Sequence, residues 1–533
     1  LVHNVLKHVI SNIYNRTSAG RIILLVFLVG LLIRCISPDL KLFHHDEAIH
    51  AWYTYNLITT GSYQYDPVYH GPLLYYLTGV AFLLLGVSDV VARLLPAVFG
   101  AAVIPLFWVL HQNGWLKKDQ AVFASLFFAL SPSMVYFSRF LRHDIFQLFF
   151  TVCLLVFFLL YLDRGKWQYA VCAATSAACG LCLKEDMPAT LLIFSSFFGI
   201  MIISGRVRLP KRWLRDLVAG LLVLAGIGTI CYSTFFIHPE MILLAPSKAI
   251  AHWMGVQGEC RICGAPWYYL LLLVVYELPI LLLAILGFWH WGIREAGFSQ
   301  LKSESSKHLQ KVKKNHEAGY LTIENKSAFL ITFAIYWSLL SLLFYAYVGE
   351  KVPWLLIHQL FPLILLASYD LSGKKVILGL LGCVFLLVMT LHVCYTPADL
   401  NEPIVQTQNS EDLKHVMDLI SVSNMSVVTT DAYWPLPWYF RGTEWNKIVL
   451  LAQKPDPGMI IRKDPDLVIM LSMNSYDPGS LPGYQKQEFA YNYSFSLPLV
   501  EKDFPGWFFM RDGPKLSTSL DVFTKNRSLS SSF

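Results

Sequence analysis

Along the 533 residues, polar positions are crowded into short intervals between long apolar runs. Those runs begin near Arg21, Pro96, Gln120, Ile145, Gln168, Pro188, Asp216, Trp267, Ala328, Pro353 and Val376. About 17 to 25 apolar residues suffice to cross a hydrocarbon core, so the pattern predicts an all-α polytopic membrane protein with eleven transmembrane helices. One more run, HGPLLYYLTGVAFLLLG at 70–86, is apolar enough to be a twelfth. The first run, 22–36, follows Lys7, Arg16 and Arg21 without a small-residue cleavage site and reads as a signal anchor. Beyond residue 396 the period changes. A helical pattern at 410–420 (SEDLKHVMDLI) precedes strand-like runs at 425–431, 447–452 and 466–472, separated by Pro, Gly and Asp. The chain thus divides into a membrane domain, 1–396, and a small extracytoplasmic α/β domain, 397–533. Within the first lie an outer loop with interfacial helices, 38–95, and a basic cytoplasmic loop, 293–327. The tail SLSSSF is expected to be disordered.

Composition agrees with this division. Hydrophobic residues make up 55% and charged residues 15% of the chain, against about 25% charged in soluble domains. The net charge of +6 comes from short loops between spans and so reports orientation; it is no nucleic-acid signature. With 70–86 lying along the surface, residues 1–396 hold 21 basic residues on the N-terminal side and 9 on the other. Making 70–86 a span would move 18 of the 21 across, against the positive-inside rule. It is therefore read as an interfacial or re-entrant helix, with the N-terminus cytoplasmic and 397–533 outside the cell membrane. Most of the ten cysteines sit in apolar runs. Cys260 and Cys263, in ECRIC, are placed in an outer loop, where a disulfide or two free thiols are favoured over a metal site that lacks a second pair.

The same orientation gathers charged clusters from distant parts of the chain in one outer layer: Asp46/Glu47, Arg139/Arg142/Asp144, Lys184/Glu185/Asp186, the loop 238–261, and Glu350/Lys351. Asp46 reads as a helix N-cap with Glu47 in the first turn, a role that also fixes a carboxylate for chemistry. His44, His45, Glu47 and His50 could instead hold a divalent ion, the one cofactor that comes into question. Arg139 and Arg142 share a face if their segment is helical, and the guanidinium fork suits phosphate; they could equally be neutralised by Asp144 and lipid head groups. Lys184 closes an apolar run and either meets a phosphate or snorkels to the interface. Lys351 ends another, with His358 about two turns deeper, and Trp267 and Tyr268 open the eighth. His45, His50 and His70 complete the pocket candidates. One or two carboxylates and several cations at a membrane surface fit a lipid-phosphate substrate. A carboxylate taking a proton from an acceptor hydroxyl contributes about 10² to 10⁴ in rate, while cations stabilise a departing phosphate.

Taken in order, DEAIHAWY, H-G-P-L-x-Y-Y, RLLPAVFG, the S-R-x-x-x-x-D loop, LKE, P-W-Y-Y and G-E-K-V-P-W-L resemble the GT-C membrane glycosyltransferases over roughly residues 20–370. The pattern is most similar to the protein O-mannosyltransferase and aminoarabinose transferase branch, and within it to an archaeal family associated with flippase activity in N-glycosylation. The resemblance implies an inverting transferase with a polyprenyl-phosphate-linked sugar as donor and a glycan, lipid or protein as acceptor. It implies Asp46, beside Glu47, as catalytic base, Asp144 as the second acidic position, and Lys184, Lys351 and Arg261 as lipid-phosphate cations. His70-Gly71 stands where the aminoarabinose branch has a Lys near the start of the interfacial helix, which argues for a different sugar. The rival reading is a flippase or flippase-associated protein that moves the lipid-linked sugar without bond chemistry. It would be expected to line a path with polar groups through the membrane, and the apolar runs are nearly free of charge, Glu277 being the main exception.

Overall fold

The computed structural model describes residues 18–259, 262–305, 326–396, 402–477, 479–495, 504–510 and 516–526. They form two compact units. One comprises residues up to Ile36, Ser62–Ala81 and Arg93–Cys394; the other comprises Ser37–Gly61, Phe82–Ala92 and the chain from Tyr395 onward.

The first unit is helical. Among the described residues, six helices are long and apolar enough to cross a membrane: Ser18–Cys35, Asp89–Gln112, His143–Arg164, Trp213–Tyr232, Lys326–Tyr347 and Gly373–Tyr395. A seventh span results if Tyr268–Tyr276 and Leu278–Ile293, bent by 106° at their junction, cross as one. The other expected spans form helices of 13 (Lys118–Leu130), 15 (Trp167–Leu181), 17 (Met187–Ile203) and 12 (Leu356–Ala367) residues. By length and composition six helices, or seven with the bent pair, meet the requirement among the described residues, so the count of eleven is not confirmed; turns at Ser131, Cys182 and Ser204 end the shorter helices inside or just after apolar sequence. The 70–86 run forms the helix Leu73–Leu85, whose rise of about 20 Å falls short of a core about 30 Å thick.

Two arginines close helix ends in this unit. Arg34, fully buried, donates through Nη1 to the carbonyls of Gly30 and Ala129 and through Nη2 to that of Phe128, satisfying the end of the 118–130 helix. Arg139 donates through Nη1 to the carbonyls of Ile33, Arg34 and Ile36 and so terminates the first span. Carbonyls at a helix C-terminus have no intrahelical partner, and a cation there also opposes the negative end of the dipole.

In the second unit six strands, β1 (Thr407–Asn409), β2 (Ser426–Thr429), β3 (Ile448–Leu451), β4 (Leu467–Leu471), β5 (Tyr484–Ser494) and β6 (Leu516–Lys525), form a mixed sheet in the order β1-β5-β6-β4-β2-β3. β2 runs parallel to β3 and β4; the other pairs are antiparallel. Alternate side chains enter opposite layers. Val428, Ile469 and Val522 pack under the helix Asp412–Val422, whereas Val427, Val468 and Phe523 pack with Ile460 of the helix Pro457–Lys463. Period-2 alternation with both faces covered accounts for the short, buried strands β2 and β4.

Residues 37–61 and 82–92, which sequence order assigns to the membrane domain, join this second unit for a specific reason. Phe43 stacks on Trp438 with centroids 5.5 Å apart, and its N–H donates to Tyr439 Oη at 3.0 Å. Trp438 Nε1 and Tyr439 Oη donate to the two oxygens of Asp89 at 2.7 and 3.1 Å, while Leu42 lies in the layer under helix 412–422.

Candidate active site

The H-G-P stretch is held against the turn that follows the Trp167–Leu181 helix. Gly71 N–H donates to the Leu183 carbonyl at 2.9 Å and Leu73 N–H to that of Cys182 at 3.0 Å, while His143 Nε2–H donates to the Gly71 carbonyl at 3.0 Å. A Cβ at position 71 would stand 2.2 Å from the Cys182 oxygen, so the two backbones meet this closely only through glycine. His70 pays in backbone strain: its φ of 63° with ψ of −166° is a region essentially reserved for Gly. Strain of this kind concentrates where a side chain must be aimed.

The 182–186 turn delivers Lys184, Glu185 and Asp186 beside the start of the His143–Arg164 helix. Lys184 Nζ bonds Asp144 Oδ1 and lies 4.0 Å from Asp186 Oδ2. Arg142 Nε is 3.2 Å from Asp144 Oδ2, and His358 Nε2 is 3.5 Å from Asp144 Oδ1. Asp144, Lys184, Arg142 and His358 are all buried. The Arg142 guanidinium lies over the Trp354 ring, 3.7 Å from its centroid, a cation–π contact strengthened by desolvation.

Arg142 also fixes the His70 tautomer. Its Nη2 is 3.2 Å from His70 Nε2; a guanidinium only donates, so Nε2 accepts and the ring proton sits on Nδ1. That proton points at Glu185 Oε2, 2.8 Å away, while Tyr65 Oη donates to Glu185 Oε1 at 3.2 Å. Burial, assisted by Arg142 and Lys184, pushes His70 down to about 3, and burial pushes Glu185 up to about 7 against the pull of Tyr65 and Lys184. Burial also raises the Asp186 carboxyl, but Lys184 and His358 outweigh it and hold it below its ordinary value; Tyr345 Oη donates to Asp186 Oδ2 at 2.9 Å.

These groups face a cavity of about 190 Å³, walled by His70, Arg142, Lys184, Glu185, Asp186, Glu350 and the rings of Trp253, Tyr345 and Trp354. Trp253 stacks on His70 with centroids 5.3 Å apart and planes 1° from parallel. Two cations, three carboxylic groups and four aromatic side chains, Phe344 being the fourth, around one opening can grip an anion and hydroxyl groups together.

Of the residues singled out in the sequence, Arg142, Asp144, Lys184, His70 and His358 thus come together. Arg139 goes elsewhere: 138–142 is a turn and not a helix, so the i, i+3 geometry never forms and Arg139 caps the first span. Lys351 caps another helix end, donating from Nζ to the carbonyls of Tyr345, Ala346 and Val348. Trp267 is exposed, and Tyr268 packs edge-on against Tyr269 away from the cavity lining. Arg261 and Cys260 lie outside the described residues; Cys263 is disulfide-bonded and forms an isolated antiparallel bridge with Glu350.

The first-loop carboxylates belong to the second unit, on the helix His45–Thr60. Its N-cap is His44, not Asp46: His44 Nδ1 accepts from Asp46 N–H at 3.1 Å, and Glu47 Oε2 accepts from His44 N–H at 3.1 Å, a reciprocal capping box. Glu47 and His50 are buried, Asp46 is half-buried and His45 is exposed, its ring edge-on to Trp434. His44 and Glu47 are engaged in the cap, and no group of three or more His, Cys, Asp or Glu among the described residues is arranged to hold a metal ion. Residues the sequence reading left out of the site are Glu185, Asp186, Tyr345, Trp253, Trp354 and Gly71. Glu185 and Asp186 stood beside Lys184 in plain view; Gly71 gave no signal except its place in H-G-P.

Comparison with known proteins follows the same lines. Residues 69–238 match the family model described as dolichyl-phosphate-mannose-protein mannosyltransferase. No curated protein matches the chain. Among solved structures, ArnT from Cupriavidus metallidurans bound to undecaprenyl phosphate superposes with a TM-score of 0.56 at 12% identity, covering 86% of this chain and 94% of that one. The same protein in the apo state gives 0.57 at 12% identity, covering 95% and 98%. The resemblance to GT-C membrane glycosyltransferases carried by the sequence motifs is therefore matched by a family model and by the fold; the archaeal flippase-associated branch is not singled out.

Proposed function

We propose that this protein is a membrane glycosyltransferase of the GT-C type, taking a sugar from a polyprenyl-phosphate donor and passing it with inversion to an acceptor at the outer face of the cell membrane. The observation that carries the reading is the buried Arg142–Asp144–Lys184 cluster, whose two cations line, with His70 and four aromatic side chains, one cavity in the helical unit. Its fold is that of a protein solved with undecaprenyl phosphate bound.

In this reading Arg142 and Lys184 receive the donor phosphate. Asp144 holds both cations in place, so that they are aimed before the substrate arrives and cost no reorganisation as charge grows on the leaving phosphate. Asp46 is the base that takes the acceptor proton. The capping box through His44 and Glu47 fixes the first turn from which Asp46 projects, making Glu47 a positioning residue. The phosphate is a good leaving group, so the oxocarbenium-like state forms without a separate acid.

The transport alternative calls for polar groups along a path through the membrane, and Glu277 is the main exception in apolar runs otherwise nearly free of charge. Its Oε1 accepts from Ser131 Oγ at 2.7 Å and Ser133 N–H at 2.9 Å, which satisfies the start of the Pro132–Phe137 helix and gives Glu277 a structural role. The test is Asp46→Asn, assayed with a labelled polyprenyl-phosphate sugar. Transfer should fall by at least about a hundredfold with donor binding retained. Wild-type turnover, or sugar-lipid scrambling in liposomes without any glycosylated product, would overturn the proposal.

A further inference from the structure

Away from that cavity, the helices His143–Arg164, Trp167–Leu181 and Trp213–Tyr232 enclose a lateral crevice of about 320 Å³. Its walls are apolar, among them Leu154, Phe158, Ala173, Ala177, Leu217 and Leu224. The alanines leave the space that larger side chains would fill. The polar groups at its rim are already neutralised: Asp216 accepts from Tyr161 Oη at 3.2 Å and from Arg215 Nε and Nη2 at 3.0 and 2.7 Å.

Depth and charge together indicate the occupant. The lining positions on the third helix run from Trp213 to Leu224, a rise of about 16 Å, which is half of a hydrocarbon core about 30 Å thick. The crevice is one leaflet deep. The chain at its mouth, where the first helix ends and the other two begin, carries Arg164, Lys166, Arg206, Arg208, Lys211, Arg212 and Arg215, all exposed. The nearby Asp163 is paired with Lys326 at 2.6 Å. An apolar slot one leaflet deep beneath a run of cations complements a molecule with a hydrocarbon chain and an anionic head.

We propose that this crevice binds an anionic membrane lipid, with a chain in the slot and the phosphate among Arg208, Lys211 and Arg212. The site is independent of the transferase reading, and loss of sugar transfer would leave it standing. The test is lipid titration of the purified full-length protein by native mass spectrometry, using phosphatidylglycerol and phosphatidylcholine with identical chains. Phosphatidylglycerol should bind about a hundredfold more tightly. Each surface cation is worth about fivefold, so Arg208→Gln, Lys211→Gln and Arg212→Gln combined should remove about a hundredfold of that affinity, down to the level of the neutral lipid. Ala170→Phe, which narrows the slot, should weaken both lipids. Fluorescence reads the same site in the unaltered fold: dibrominated phosphatidylglycerol should quench a component that Trp213→Phe removes. Equal affinity of the wild type for the two lipids, an unchanged affinity in the triple variant, or quenching without a Trp213 component would each overturn the assignment.

Discussion

Gly71→Ala is the sharpest test of how the cavity is assembled. The added methyl would lie 2.2 Å from the Cys182 carbonyl oxygen, 2.5 Å from its carbon and 2.7 Å from the Leu183 carbonyl carbon. Ordinary contact begins near 3.4 Å, so the two backbone segments must part by about 1.2 Å. Both sides are backbone, and neither can yield by changing a rotamer. Separation breaks the bonds from Gly71 N–H to Leu183 and from Leu73 N–H to Cys182. A buried group left unsatisfied costs about 1 to 3 kcal/mol, so a loss of about 3 kcal/mol is expected. Lys184 follows Leu183 directly, and His70 precedes Gly71. A shift near 1 Å in groups that grip the donor costs on the order of 10² in rate. The assay pairs a melting midpoint in detergent with transfer from a labelled polyprenyl-phosphate sugar. Gly199→Ala is the control, because nothing lies within 4 Å of its Cβ position and it sits inside the Met187–Ile203 helix; it should be neutral or slightly stabilising. If Gly71→Ala melts and turns over like the wild type, the close approach does not hold the site together.

The His70–Glu185 pair should leave a signature in pH. His70 stands at about 3 in the folded protein against an ordinary 6.5, so the unfolded chain binds more protons and stability from this group rises as pH climbs from about 3 to 6.5. Glu185 stands at about 7 against 4.5; there the folded chain binds more protons, and stability falls from about 4.5 to 7. The slopes oppose each other between 4.5 and 6.5 in the wild type. Relative to it, Glu185→Gln should gain a melting midpoint that climbs with pH across that window, and His70→Gln one that falls; two unchanged profiles would refute the pairing. For the ion cluster, Asp144→Leu leaves Lys184 and Arg142 facing each other and should cost about 3 to 5 kcal/mol. Lys184→Met leaves Asp144 with Arg142 and His358 and should cost less, and the double variant should cost less than the sum. A more damaging Lys184→Met would show that Asp144 is not the hub.

Much of this protein can be read along the chain because its pattern is local. A signature such as the apolar run after Arg21 or the strand runs at 426–429, 448–451 and 467–471 depends on neighbours within a few residues. Lys184 and Asp144 were visible as candidates because a charge bordering an apolar run is costly wherever it ends up. The first-loop helix is capped by His44 and not, as its carboxylate suggests, by Asp46, since a histidine ring can accept from the backbone, and Glu47 then closes the box from the other side.

The sequence alone determined that the chain carries long apolar helices suited to a membrane, that strands follow them, and which ionisable groups deserve suspicion. It did not separate the arginine that lines the cavity from the one that caps a helix. Arg139 and Arg142 are three residues apart with the same chemistry, and only the turn between them sends one to the carbonyls of residues 33–36 and the other to Asp144, His70 and Trp354. Nor did it show that residues 37–61 fold with the C-terminal sheet. Those outcomes depend on which surfaces, hundreds of residues apart, bury against each other, and that choice is made by the shape of the packed chain and by no local period.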